Sequence, residues 1–229
     1  MLVAVVLYDR MTALDAVGPL EVLRFLPEVR IELVAEAAGP VRTDSPLTLT
    51  ATTSYDACPA PDVVVVPGGP GTAEALGSPL VPWLRQVHAG TTWTTSVCSG
   101  SLLLAHAGLL EGAPAASHFA VLDLLPHLGA AASTERVVVD EQHHVMTAAG
   151  VSSGLDMALL LAEHLSDRTT AEAVQLVVEY DPRPHVDAGT LAKASPEVVA
   201  RAVELGRPHG AVPESFAAPL SGPSAPAPR

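Results

Sequence analysis

Cysteine is nearly absent from this chain. Cys58 and Cys98 are the only two in 229 residues, and neither belongs to a CxxC pair. A disulfide-stapled scaffold is excluded on count, and a paired-thiolate metal or redox motif on spacing. Aromatic residues make up only 3% of the sequence, so stacking platforms of the kind that hold single-stranded nucleic acid are scarce. Basic residues are few as well: 12 Lys and Arg stand against 25 Asp and Glu, a formal charge of -13. No stretch gathers positive charge as a phosphate-tracking groove requires, so nucleic acid is not an expected partner. Long apolar runs are also missing, since nothing approaches the roughly 20 residues of a membrane-spanning helix. Met1 leads straight into the strand-length run Leu2 to Leu7 with no basic segment before it. No membrane partner is expected, and the expected location is the cytoplasm.

What the chain does have is an interior of small aliphatic residues, with 48% of positions apolar and only 16% charged. That balance suits one large globular domain. Leu2 to Leu7, Val63 to Val66 and Trp93 to Val97 lack the polar alternation of a half-exposed strand, so they read as buried parallel strands. Each ends in a turn followed by a helical pattern; the first of these runs through Leu14, Val17, Leu20, Leu23 and Leu26. Val29 to Ala35 reads as a further strand, and Gly39 to Ser54 as a small hairpin excursion. Short strands are expected near Arg136 to Val139 and Val145 to Thr147, with helices over Val151 to Leu165 and Thr169 to Glu179. Strands alternating with helices at this spacing argue for an α/β fold, an open doubly wound, mostly parallel sheet with helices on both faces. The domain is expected to occupy residues 1–206, and the Pro/Ala-rich residues 207–229 to form a disordered tail.

In such a sheet, ligands bind outside the carboxyl ends of the parallel strands. Asp15 follows the first strand, Gly68 to Gly71 the second and Cys98 the third, so all three reach one crevice. Cys98 sits in a strand, Cys, Ser, Gly, helix arrangement in which Gly100 relieves crowding, much as in the nucleophile elbow of hydrolases. A lone cysteine beside a strand is often an inert core residue, but the elbow, the glycine spacing and a candidate partner favour a nucleophile. At a helix N-terminus its thiol pKa is expected to fall. Asp15 suits a helix N-terminus on electrostatic grounds alone. Set among Leu14, Ala16 and Val17 it would also face a dry pocket, where desolvation raises its pKa and lets it exchange a proton near neutrality. The backbone amides of Gly69 and Ser99 suit an anion hole, while Pro67-Gly68-Gly69-Pro70-Gly71 matches no phosphate-binding pattern. Val17 and His118 are candidate pocket-wall contacts to substrate. The nine histidines show no HxxxH or HExxH spacing, so no metal site is expected. Cys58, between Ala57 and Pro59, has none of these features and reads as structural.

The segments Leu14-Asp15-Ala16-Val17-Gly18-Pro19, Val66-Pro67-Gly68-Gly69, Ser96-Val97-Cys98-Ser99-Gly100 and Gly150-Val151-Ser152-Ser153-Gly154-Leu155-Asp156 resemble the DJ-1/PfpI superfamily. Gly108-Leu109-Leu110-Glu111-Gly112 and Val174 through Pro182 extend the resemblance, which runs from about Val3 to Pro196. It implies a homodimer of flavodoxin-like subunits, a cysteine nucleophile at Cys98 and a carboxylate partner at Asp15. Within the superfamily the sequence is most similar to the branch that hydrates isonitriles without a cofactor. In that chemistry a thioimidate forms on Cys98 while Asp15 serves as general acid and base. Ser99 and Phe119 stand where that branch usually has Thr and Trp, which leaves open a glyoxalase-like or other cysteine-dependent reaction, or a non-catalytic thiol or ligand sensor.

Overall fold

A computed structural model gives the structure of the chain and describes residues 1–216. Those residues fall into two compact units, Met1–Asp181 and a second that begins at Pro182.

The first unit opens with β1 (Leu2–Val6), α1 (Ala13–Leu23), β2 (Arg30–Ala35) and the hairpin strands β3 (Gly39–Arg42) and β4 (Thr48–Ala51). It continues with β5 (Thr53–Ser54), β6 (Val63–Val66), α2 (Thr72–Ala75), α3 (Leu80–His88), β7 (Trp93–Val97) and α4 (Gly100–His106). The two-residue strands β8 (Pro114–Ala115) and β9 (Ala131–Ala132) flank a 3-10 turn at Leu122–Leu128. β10 (Val137–Asp140), β11 (Val145–Ala148), α5 (Ser153–Leu165) and α6 (Arg168–Val177) complete it.

Seven strands form the main sheet in the order β10-β11-β7-β6-β1-β2-β5. All neighbours run parallel except the edge pair β10–β11. The expected flavodoxin-like arrangement is therefore the observed one. Val63 to Val66 are fully buried, as a central parallel strand covered on both faces requires. Each such valine contributes roughly 1.5–3 kcal/mol by leaving water. Alternate residues of β7 show the two covering layers. The Thr94 hydroxyl lies 2.9 Å from His88 Nδ1 on α3, while the Val97 side chain packs where Gly154 leaves room on α5.

The chain steps from β1 to β2 on one side and later places β6 on the other, so direction reverses at β1. The carboxyl ends of β1, β6 and β7 thus open onto the topological switch point, where a crevice forms in sheets of this type.

α1 keeps the expected apolar stripe only in part. Leu14 is 45% exposed, and the buried side consists of Ala13, Asp15, Ala16, Gly18, Pro19, Val22 and Leu23. Small residues let α1 lie close to α5, with Leu155 against Gly18, so of the expected stripe Leu23 and Leu26 are buried, Val17 and Leu20 are partly buried and Leu14 is exposed.

In the second unit, α7 (Pro196–Gly206) is a helix that the sequence pattern did not lead one to expect. Ser195 caps it by accepting the Val198 N–H at 3.4 Å, and Pro196 occupies the first turn, where its missing N–H costs nothing. A 3-10 turn follows at Arg207–His209. Most of the expected tail, residues 217–229, lies outside the described residues.

Candidate active site

Cys98 follows β7 directly and adopts a left-handed backbone with φ 59, a conformation that costs a non-glycine residue about 1–2 kcal/mol. The neighbouring turn holds it there. A Cβ on Gly100 would run into the carbonyl oxygen of Val66, and one on Gly68 would lie 2.6 Å from Ser99 Oγ. The β6 and β7 turns are therefore nested, backbone on backbone, which only glycine allows. Ser101 and Ser117 hydroxyls both donate to the Cys98 carbonyl oxygen, at 3.3 and 3.1 Å. The elbow is fixed from both sides, and Cys98 is 6% exposed.

Asp15 is completely buried. Its Oδ2 accepts the Gly68 N–H at 3.0 Å, whereas Oδ1 is buried without a hydrogen-bond partner among the described residues. Burial raises the carboxyl pKa from 3.8 to about 7. The Gly68 N–H opposes that rise, Asp44 adds to it, and the Cys98 thiol pulls the other way. Asp15 and Cys98 thus perturb each other across the site, one from α1 and the other from the β7 turn. The expected fall in the thiol pKa is corrected. Burial pushes it well above its ordinary value and the Asp15 charge adds to the rise, against the backbone N–H and hydroxyl of Ser99. The resting proton consequently belongs on sulfur.

The anion hole expected from Gly69 and Ser99 is not an open pair of amides. Gly69 N–H donates to Ser99 Oγ at 2.9 Å, and the Ser99 N–H acts on the Cys98 sulfur. Val17 is partly buried on α1, but positions i and i+2 of a helix lie about 200° apart, so it faces away from Asp15. His118 lies next to Ser117, the residue that anchors the Cys98 carbonyl. Its Nδ1 accepts the Ala120 N–H at 3.4 Å, its ring packs on Phe119 with centroids 4.4 Å apart, and burial lowers its pKa.

Two residues passed over in the sequence belong here. The Tyr8 hydroxyl donates to the Pro67 carbonyl at 2.8 Å and lies 3.1 Å from Thr72 Oγ1. Thr72 Oγ1 is in turn 2.8 Å from Ser99 Oγ. Tyr8 sits just past the end of β1 and Thr72 opens α2, so the strand-end rule that found Asp15 would have reached both. Tyr8 is also part of the wall of a cavity of about 630 Å³ between the ends of β1 and β2 and the β3–β4 hairpin, whose lining does not include Cys98 or Asp15. Among the described residues no three His, Cys, Asp or Glu side chains group as metal ligands, and no helix is long and apolar enough to cross a membrane.

A flavodoxin-like fold with a cysteine at a positive-φ elbow and a buried carboxyl from the first helix defines a class of α/β proteins. The chain belongs to the DJ-1/PfpI family, which it matches over residues 1–164. It is 40% identical over 203 residues to the isonitrile hydratase of Pseudomonas putida, covering 88% of each chain. Its fold is similar to that of a ThiJ/PfpI family protein from Pseudomonas syringae, with TM-score 0.86 and 36% identity, covering 91% of this chain and 87% of the other. Schizosaccharomyces pombe DJ-1 is a more distant neighbour in fold, with TM-score 0.68 and 20% identity, covering 80% of this chain and all 100% of that one.

Proposed function

We propose that the protein hydrates an isonitrile, R–N≡C, to the N-substituted formamide, with Cys98 as nucleophile and Asp15 as the proton carrier. The observation that carries this reading is the pairing itself. A thiol that retains its proton and a buried carboxyl whose pKa is about 7 perturb each other, and the carboxyl's Oδ1 has no hydrogen-bond partner among the described residues. Similarity to an isonitrile hydratase over most of the chain supports the choice of substrate.

The steps balance without any redox partner. Ionised Asp15 takes the thiol proton as sulfur bonds to the terminal carbon of the isonitrile, then returns it to that carbon, leaving the thioimidate R–N=CH–S–Cys98. Asp15 next removes a proton from water while the hydroxyl adds to the same carbon, and passes that proton to nitrogen. The tetrahedral adduct collapses to R–NH–CHO, the C–S bond breaks, and the hydroxyl proton returns to the departing sulfur through Asp15. A carboxyl with a pKa near 7 serves both directions of transfer at neutral pH, whereas an ordinary one would hold no proton to give.

Ser99 contributes donors to sulfur rather than an anion hole in this scheme, and Gly69 holds the Ser99 hydroxyl in place. In this reading His118 serves as a substrate contact beside the elbow, and two copies of the chain form the working unit. Incubating the purified protein with an alkyl or aryl isonitrile and following formamide formation tests the assignment. Cys98→Ala and Asp15→Asn are each expected to abolish turnover. Undiminished turnover by Cys98→Ala would overturn it.

A further inference from the structure

We propose that Thr72 is a positioning residue for Cys98: its hydroxyl donates to Ser99 Oγ and so turns the Ser99 hydroxyl hydrogen toward the sulfur. The inference rests on the reading of Cys98 as the nucleophile and deepens it.

Hydrogens around Ser99 are few enough to count. Ser99 Oγ has one hydrogen to give and two lone pairs to fill. Gly69 N–H fills one lone pair at 2.9 Å, and Thr72 Oγ1 stands 2.8 Å away. Tyr8 has already given its hydrogen to the Pro67 carbonyl at 2.8 Å, so it has none for Thr72. The single Thr72 hydrogen therefore chooses among three acceptors: Ser99 Oγ at 2.8 Å, the Gly69 carbonyl at 2.8 Å and the Tyr8 oxygen at 3.1 Å. The Gly69 carbonyl already accepts the Thr72 backbone N–H at 3.0 Å. When Thr72 donates to Ser99, both lone pairs of Ser99 are filled and its hydrogen must leave the triangle. Within reach are the Gly69 carbonyl, at a long 3.4 Å, and the adjacent sulfur. When Thr72 instead donates to the Gly69 carbonyl, Ser99 must give its hydrogen back to Thr72, and the sulfur loses a donor. One hydroxyl swap in α2 thus decides whether a charge-assisted hydrogen bond is available to the thiolate as it forms.

The ionisable groups facing the sulfur are Asp15 from α1 and Tyr8 from the loop after β1. Tyr8 stays neutral, because burial raises its pKa well above the ordinary 10. Asp15 titrates at about 7 and is anchored by Gly68, not by Thr72. The Ser101 and Ser117 hydroxyls act on the Cys98 carbonyl rather than on its sulfur. Removing the Thr72 hydroxyl should therefore move the thiol titration and leave the carboxyl step where it is.

The experiment follows thiolate ultraviolet absorbance against pH in the full-length protein, each background being read as its difference from the same background carrying Cys98→Ala. Thr72→Val leaves the Ser99 hydrogen to divide between the sulfur and the long Gly69 carbonyl, and is expected to raise the thiol midpoint by a few tenths of a unit, less than the about one unit that a whole hydrogen bond to a charged group is worth. Ser99→Ala, which removes the donor itself, should raise it by the full unit, the Thr72→Val/Ser99→Ala double variant no further than Ser99→Ala alone, and Thr72→Ser should restore it. Thr72→Ala, which removes the hydroxyl by another route, must shift it in the same direction. An unmoved midpoint in either hydroxyl-free variant, or a Thr72→Ser variant as shifted as Thr72→Val, overturns the proposal. Because this readout needs no isonitrile, failure of turnover would reject the assigned substrate and leave the relay to be judged on its own titration.

Discussion

Replacing Asp15 by Asn tests the electrostatic core of the site through stability rather than rate. The carboxyl titrates at about 7 in the folded chain against an ordinary 3.8. Below the lower value both folded and unfolded chains hold the proton, and no stability is lost. Between the two values the unfolded chain releases its proton while the folded chain keeps it, so stability falls as pH rises, and it levels off above the folded value. With about 1.4 kcal/mol per unit, the loss over roughly three units is about 4 kcal/mol. Asn has nearly the same shape, its Oδ1 can accept the Gly68 N–H in place of Asp15 Oδ2, and it never ionises. The variant should therefore gain on the parent by about 1–2 kcal/mol at pH 5 and about 4 kcal/mol at pH 8. Urea denaturation of both proteins at the two pH values, with formamide formation measured alongside, reads stability and activity together. Asn should be the more stable protein and the inactive one. A stability gap that does not widen between the two pH values would refute the idea that a raised carboxyl pKa is built into this fold.

The rate itself should depend on the same ionisation. With Asp15 as the first base, kcat/KM for an isonitrile should climb about tenfold per unit as pH rises toward 7 and flatten above it; a flat profile between pH 5 and 8 would count against Asp15 in that role. Gly100→Ala should cost at least about 2 kcal/mol, since its Cβ meets the Val66 carbonyl with no flexible side chain to yield. An unchanged denaturation midpoint would mean that the two turns are not nested as described. Trp83→Phe removes the Nε1–H that reaches the Cys58 carbonyl at 3.1 Å. Leaving that buried oxygen unpaired should cost about 1–3 kcal/mol by the same measurement, and no loss would show that water reaches it.

Most of the sheet and the elbow were legible because their signals are local. A fully apolar run such as Val63 to Val66 can only be a covered strand, and Cys98-Ser99-Gly100 between a strand and a helix can turn in few ways. That Asp15 and Cys98 would approach each other followed from a topological rule rather than from any spacing between them. What stayed illegible depended on which neighbour each residue would meet. The apolar stripe holds at Leu23 and, just past α1, at Leu26, whereas near the start of α1 the close approach of α5 buries small residues, leaves Leu14 exposed and turns Val17 away from Asp15. The edge strand β10 runs antiparallel through a turn at Glu141–His144 that gave no strong hairpin signal, and α7 lies in a stretch rich in Pro, Ser and Ala. Tyr8 and Thr72 are ordinary residues in sequence and become informative only when their hydroxyls stand within hydrogen-bonding distance of each other and, through Thr72, of Ser99.

The thiol shows how magnitudes, not the identity of contacts, decide a site. From sequence, Cys98 precedes a helix, and donors at a helix N-terminus favour thiolate by about 0.3–1 kcal/mol. α4 has only seven residues, which keeps that attraction small. Removing a thiolate from water opposes it by several pKa units in a fully buried setting, and an ionised carboxyl nearby adds to the opposition. Desolvation and carboxylate repulsion together outweigh the helix, so the same elbow that presents a nucleophile geometrically withholds its charge until a base is present. On the proposed mechanism such a site does not wait with thiolate ready but passes the proton at the moment of attack. A carboxyl with an ordinary pKa would be too weak a base for that transfer and would hold no proton to return. Burial of Asp15 therefore answers the problem that burial of Cys98 creates, and the two pKa shifts belong to one device.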